Sequence, residues 1–269
     1  MRRFLLFSFP VFFIVSNSKS QAYKSSLVFQ KNTYAVASIQ VPYEEYVVTQ
    51  AVKDYMLNRG YKDAHYKDFI IFRSVPLDIN GSVLSDAYFN IDRKSHSEKD
   101  ITLINLLPVK KGETLIPANE EDSSFISLSR IFLDSMIQNI YSYSLQKQID
   151  AQQKTVDKIK GKMISLKNDS GDIAKKIRNY ESDLAENKKG QTKQTQIINN
   201  TATGDQDALS KAHHKMDKLL DGQTDYEKKI RNYKADLEKN TADRQTEQGL
   251  YDKGIQTLDA LKQRLYHLK

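Results

Sequence analysis

From Leu145 onward, one stripe of positions recurs at alternating steps of four and three: Leu145, Ile149, Gln152, Val156, Ile159, Met163, Leu166, Ser170, Ile173, Ile177, Tyr180 and Leu184. Mostly apolar, it is an a/d heptad kept well past the three or four heptads that define a coiled-coil helix. A second series runs Leu209, Ala212, Met216, Leu219, Gln223, Tyr226, Ile230, Tyr233 and Leu237, then Tyr251, Leu258, Leu261, Leu265 and Leu268. The two series are one residue out of phase, so a break must separate them. Asn199 to Asp205 supplies it, and Thr203 and Gln206 stand in the relation of a capping box that opens a new helix. The pattern therefore predicts a first helical arm over 123–198, a turn over 199–205 and a second arm over 206–268.

The segment Lys175 to Tyr180 returns at Lys228 to Tyr233 as the same six residues, Lys-Lys-Ile-Arg-Asn-Tyr. A fold-back near Thr203 and Gly204 brings the two copies face to face and pairs Ile198 with Leu209, Ile177 with Ile230, Ile173 with Tyr233, Val156 with Tyr251, Ile149 with Leu258 and Leu145 with Leu261. Each arm then has about 60 residues and reaches about 90 Å at the rise of an α-helix. The seam is not uniformly apolar: Met163 would face Arg244, Ile159 would face Glu247, and Asn187, Gln191 and Gln194 lie on it. Polar seam residues set register or oligomer state, and they fit a third helix from another subunit equally well.

Residues 25–109 have a different texture, with β-branched and aromatic runs separated by turn residues. Tyr34 to Val41 reads as a strand. Pro42 suits the start of a helix over Tyr43 to Asn58, whose Val47, Val48, Ala51, Val52, Tyr55 and Met56 fall at helical spacing. Phe69 to Phe72 is a buried-strand signal, and Asn80-Gly81 is a hairpin cue. Val83, Ala87, Phe89 and Ile91 then alternate with Asp86, Asn90 and Asp92, and Ile101 to Ile104 follows the turn at Ser95 to Asp100. The fold class expected is α+β: a small two-layer β-α-β-β-β domain followed by a long antiparallel coiled-coil hairpin.

Residues 110–122, with Gly112, Pro117 and Glu120-Glu121-Asp122, read as a linker, after which Asp122 or Ser123 can cap the first arm. The stripe Phe125, Leu128, Phe132, Leu133, Met136, Ile137 and Ile140 suits docking of the arm's root on the domain. In composition and element order, residues 25–109 resemble the small exported domains of bacterial envelope proteins with TATA-binding-protein-like topology and no assigned function, here followed by a coiled coil.

Composition narrows the setting. Met1-Arg2-Arg3, the apolar run Phe4 to Val15 and Ser18-Lys19-Ser20 match the three parts of a cleavable secretory signal ending at residue 20. The apolar run is shorter than the roughly 18 residues a membrane span needs, and no later stretch is apolar enough. The chain has no cysteine. Disulfides, thiolate catalysis, Cys-ligated metal and lipid attachment through an N-terminal Cys are all excluded. The expected location is exported, periplasmic or extracellular, and not that of a lipoprotein. The formal charge of +7 includes Arg2, Arg3 and Lys19 of the signal. A mild basic excess on long helices describes a solvated surface, so no nucleic acid is expected as partner.

Chemistry is sparse. The five histidines are His65, His96, His213, His214 and His267. His213 and His214 are adjacent on a helix and point about 100° apart, so they cannot share one metal as an i, i+4 pair would. Glu44-Glu45 and Asp86 with Asp92 are the carboxylates whose pairing only a fold could reveal. Tyr141, Tyr143, Tyr226, Tyr233 and Tyr251 could serve as stacking platforms, although several are seam residues. No G-x-S-x-G, H-E-x-x-H or P-loop pattern occurs. We therefore expect no catalytic, cofactor-binding or metal residue and no small-molecule ligand. The function expected is a non-enzymatic structural or interaction protein of the bacterial cell envelope, self-associating or binding a protein through the coiled coil. The alternative is a periplasmic holdase-like chaperone with basic helical tentacles.

Overall fold

A computed structural model of the chain describes residues 21–78, 80–110, 124–201 and 205–268. The expected signal, the linker from Gly112 to Asp122 with its capping residues, and the Thr203 capping box lie outside them. The architecture is α+β: a six-stranded antiparallel sheet followed by two long helices. The elements are β1 (Tyr23–Phe29), β2 (Asn32–Val41), α1 (Glu45–Leu57), β3 (Asp63–Tyr66), β4 (Phe69–Pro76), β5 (Leu84–Arg93), β6 (Thr102–Lys110), α2 (Ser124–Asn200) and α3 (Gln206–Leu268). Across the sheet the strands run β1-β2-β6-β5-β4-β3. The chain divides into two compact units: one made of the sheet, α1 and α2 through Lys147, with Leu268, the other of Gln148–His267.

The β-α-β-β-β order expected from sequence is corrected by two further strands, β1 and β3. Both are edge strands, and each escapes the usual signals for a physical reason. β3, Asp-Ala-His-Tyr, is exposed at every position and shows no alternation. β1 joins β2 through Gln30-Lys31, both at positive φ, +49° and +68°. Two left-handed residues in a two-residue loop define the type I′ hairpin turn, which sequence normally announces with Asn-Gly. The Asn80-Gly81 cue does mark the β4 to β5 connection. There Gly81 takes φ +71°, while the Asp78 carboxylate accepts the N–H groups of Ser82 and Val83 at 3.2 and 2.8 Å. A hydrogen bond from the Ser82 hydroxyl, together with those two backbone bonds, holds the Asp78 carboxyl below its ordinary pKa.

Helix α1 buries Val48, Ala51, Val52, Tyr55 and Met56. They meet Ala37, Ile39 and Val41 of β2, Ile70 and Phe72 of β4, Ala87 and Phe89 of β5, and Ile104 and Leu106 of β6. The root of α2 covers the same face with Phe132, Leu133, Met136 and Ile140. Polar ties fix it there. The Ala22 N–H donates to Asp134 Oδ1 at 2.8 Å, Arg130 Nε donates to the Ala22 carbonyl at 2.9 Å, and the Tyr55 and Ser135 hydroxyls share a 3.3 Å bond. The Leu268 carbonyl accepts a hydrogen bond from the Gln138 side-chain amide.

In the helical unit, the residues that lose exposure are the heptad positions. Val156, Ile177, Gln194, Ala212, Ile230, Asn240, Glu247, Gly254 and Leu258 are buried, and the intervening positions are mostly exposed. Contacts run in antiparallel order. Gln194 Nε2 donates to the Ala212 carbonyl at 3.1 Å, Gln191 Nε2 to Gln223 Oε1 at 2.7 Å, and Gln152 Nε2 to the Gly254 carbonyl at 3.0 Å; Lys234 pairs with Glu181 at 3.0 Å. Lys162 pairs with the buried Glu247.

The two copies of the repeat meet at their tyrosines. Tyr180 stacks on Tyr233 with ring centroids 5.7 Å apart and 13° between planes. Lys176 of the first copy lies 5.4 Å over the Tyr233 ring, and Lys229 of the second 5.3 Å over Tyr180. Each copy thus supplies the cation for the other's ring, a pseudo-twofold contact. Further along, Val156 packs on Gly254, where an added Cβ would lie 3.0 Å from its Cγ2. That is three residues from the expected partner Tyr251, because side chains of one helix drop between turns of the other instead of meeting head on.

Crowding at the glycines makes a prediction. A Cβ at Gly161, Gly171 or Gly249 meets nothing within 4 Å. Alanine at each is expected to stabilise α2 or α3 by about 0.5–1 kcal/mol through helix propensity. Gly254→Ala should gain nothing, because Val156 must shift. Thermal unfolding followed by the helical circular-dichroism band would separate the two groups.

Candidate functional site

The helix-free face of the sheet carries Ser25, Leu27 and Phe29 of β1, Tyr34, Val36 and Ser38 of β2, Asn105 and Leu107 of β6, Tyr88 and Asn90 of β5, Phe69 and Ile71 of β4, and Tyr66 of β3, by strand register. β1 and β3 are opposite edges of the sheet, yet Phe29 lies 5.0 Å from the Phe69 ring and 6.2 Å from that of Tyr66. The twist of the sheet lifts these two diagonal corners over its face until they touch. A second, smaller core results, in which Phe29 and Tyr66 roof the buried Phe69, Val36, Leu107 and Ile71.

Both corners are hairpin tips with left-handed, non-glycine residues, which cost of order 1–2 kcal/mol each. Besides Gln30 and Lys31, Lys67 has φ +51°. The tips are tied to each other: Gln30 Nε2 donates to the Tyr66 hydroxyl at 3.1 Å, and the Lys67 ammonium lies 5.8 Å over Phe29 and 5.5 Å over Tyr66. These contacts offset the backbone strain.

The sheet that floors this second core turns polar one row along. One row across the strands reads Tyr23, Ser38, Asn105, Asn90, Phe69, Tyr66 in register. Ser38 Oγ donates to Asn105 Oδ1 at 2.6 Å, and Asn105 Nδ2 donates to Asn90 Oδ1 at 3.0 Å. Ser38 is 0% and Asn105 5% exposed, so the floor holds two nearly dry polar side chains that satisfy each other. Gln40 Nε2 donates to the Tyr23 hydroxyl at 3.2 Å at the rim. At the far side, a β-bulge between Phe72 and Val75 places Ser74 at φ +54°. The Ser74 N–H donates to Asp86 Oδ1 at 3.0 Å, and Asp86 also pairs with Arg73.

The titratable residues noted in the sequence are dispersed. Asp86 and Asp92 are six residues apart on one strand, about 20 Å at the rise of a β-strand, so they do not form a pair. Glu45 pairs with Arg93 at 3.3 Å. His65 joins Lys53 and Asp63 on the other side of the sheet, where the Lys53 hydrogen bond, opposed by slight desolvation, holds the Asp63 carboxyl below its usual range. His213 and His214 are exposed on α3. Tyr141 packs edge-on to Tyr43, and burial raises its hydroxyl pKa. Of the five tyrosines, Tyr226 and Tyr233 come together, both against Tyr180. Among the described residues, no group of three or more His, Asp or Glu is placed to hold a metal ion, and no helix is long and apolar enough to cross a membrane.

Sequence reasoning did not find this second core or the polar row beside it. That row is drawn from six strands, two of them unread, and no local signal links Tyr23 to Asn90. Comparison with protein-family models, with curated proteins and with solved structures returns no match.

Proposed function

We propose that the chain is an exported, non-enzymatic structural or interaction protein of the bacterial cell envelope, in which α2 and α3 form a coiled-coil hairpin that acts as a spacer or assembly arm. The observation that carries this reading is the heptad seam, which stays buried or half-buried from Ile149 to Gln194 and again from Ala212 to Tyr233. A surface made mostly of polar and charged side chains suits an arm that stands in water. The leader-like pattern of residues 1–20 supports export.

Two measurements test it. The native chain has no cysteine, so Val156→Cys with Gly254→Cys provides a clean crosslink. Oxidation should close a disulfide within one chain, and a product of twice the mass, or none, counts against the hairpin. Alkaline phosphatase fused after residue 40 should be active in a bacterial host and inactive when residues 2–15 are deleted; activity confined to the cytoplasm would remove the exported reading.

The chaperone reading has one observation in its favour: Ile164, Ile197, Leu220 and Leu250 are exposed on the helical unit. It requires the chain to suppress aggregation of a heat-unfolded client, and serine at those four positions to abolish that effect.

A further inference from the structure

We propose that the helical unit pairs with a second copy of itself, side by side and antiparallel, through a basic groove between α2 and α3 that receives the acidic ridge around Leu220 of the other copy. The inference rests on the hairpin reading of α2 and α3 given above. The groove has a volume of about 580 Å³. α2 lines it with Lys160, Met163, Ile164 and Lys167, and α3 repeats the same steps of three, one and three from Thr241 through Arg244 to Gln248. Two helices that each present i, i+3, i+4 and i+7 to one groove offer the seat that a third helix needs. The seam is incomplete at this level. Arg244 holds a heptad position but is exposed, Met163 is half-buried, and Ile164 is 53% exposed.

Charge decides which helix fits. Lys160, Lys167 and Arg244 line the groove without a carboxylate among them, and the ion pairs of the helical unit, among the described residues, use Lys162, Lys211 and Lys234 instead. The occupant must therefore carry acids beside an apolar side chain. The chain has that element itself. Leu220, 46% exposed, is bordered by Asp217 and Asp221, both exposed and in no ion pair among the described residues. Like charges at i, i+4 repel, so the acidic ridge is unfavourable alone and the contact with three cations relieves it. Position agrees with charge. Leu220 precedes Thr241 and Gln248 by 21 and 28 residues, three and four whole heptads, so it stands on the groove's own flank of α3. A surface with groove and ridge on one flank meets a copy of itself reciprocally in an antiparallel twofold dimer, groove over ridge at both ends. The axis passes beside Asn232, midway between Leu220 and Arg244 and inside the repeated segment, and the two contacts lie about 36 Å apart along the helix.

Light scattering on size-exclusion fractions reads the outcome. The chain from Gln21 onward should elute as a dimer in low salt, where exposed charges are least screened. Lys160→Glu with Lys167→Glu, and separately Asp217→Lys with Asp221→Lys, should each give a monomer, because each change makes groove and ridge alike in charge. Mixed in equal amounts, the two variants should form a mixed dimer, since both contacts are then complementary. All four positions are exposed, and the helical circular-dichroism band checks that each variant keeps its fold. A monomeric wild-type chain, the result expected if a small anion or a foreign acidic helix fills the groove instead, overturns the proposal. So does a dimer that persists in either charge-reversed variant, or a mixture that stays monomeric. The Val156→Cys, Gly254→Cys crosslink reports on the hairpin alone, so a chain that crosslinks within itself but stays monomeric refutes the pairing and leaves the hairpin standing.

Discussion

Leu133→Ala is expected to lower the stability of the sheet-containing unit by about 2–5 kcal/mol, the range for truncating a large buried aliphatic side chain. Leu133 is 1% exposed and lies with Phe132, Met136 and Ile140 in the cluster that also holds the α1 and sheet side chains. The loss has two parts, the transfer free energy of the removed methyl groups and the cavity that a helix pinned by Arg130, Asp134 and Ser135 cannot collapse into. Urea unfolding followed through the amide signals of β2 and β6 would read it. A loss below about 0.5 kcal/mol, the level of an ordinary surface change, would show that the root of α2 is not part of the sheet's core. The expectation matters for function because it makes the start of the long helix structural.

Phe69→Ala should cost about 3–5 kcal/mol by the same mechanism on the opposite face. Phe69 is 4% exposed and touches Phe29 and Tyr88 edge-on, at 5.0 and 6.0 Å between ring centroids. Its removal takes the support from under the roof, so the strained tips at Gln30, Lys31 and Lys67 lose the contact that holds them. Phe69 and Leu133 belong to separate clusters on the two faces of one sheet. Without shared partners, their effects should add within about half a kcal/mol in the double variant. A strongly non-additive result would mean that the two faces act as one core. Phe69→Ala should also make the Gln30 and Lys31 amides exchange faster with solvent than in Leu133→Ala, since only the first change frees the β1 to β2 tip.

Legibility in the sequence followed the range of the interactions. Helix α1 was readable because Val48, Ala51, Val52, Tyr55 and Met56 recur at the helical period within one turn or two of each other. The heptad was readable for the same reason: of the polar members expected on the seam, Gln194 and Glu247 are buried and Asn187 and Gln191 half-buried, whereas Arg244 is exposed; Asn240, which the reading passed over, is buried too. Asn240 leaves its Oδ1 without a hydrogen-bond partner. β3 was unreadable because an edge strand needs no apolar alternation when its partner β4 supplies the burial. β1 was missed because its turn uses Gln-Lys at positive φ, a conformation paid for by contacts with Tyr66 and Phe69 from the far edge of the sheet. The second core is the extreme case, since Phe29 of one sheet edge meets Tyr66 and Phe69, 37 and 40 residues further along the chain.

By itself, then, the sequence determined the periodic parts of this protein: an amphipathic helix on a sheet, and two long helices whose repeated Lys-Lys-Ile-Arg-Asn-Tyr segments face each other. Periodicity suffices there because burial repeats at every turn, although it misplaces partners along the seam: Val156 packs on Gly254 where Tyr251 was expected, and Tyr233 stacks on Tyr180 where Ile173 was expected. Only the tertiary structure decided that the sheet has six strands, that its corners curl into contact, and that Ser38, Asn105 and Asn90 form one row. Those features depend on sheet twist acting over all six strands together, and no segment of the chain records that sum.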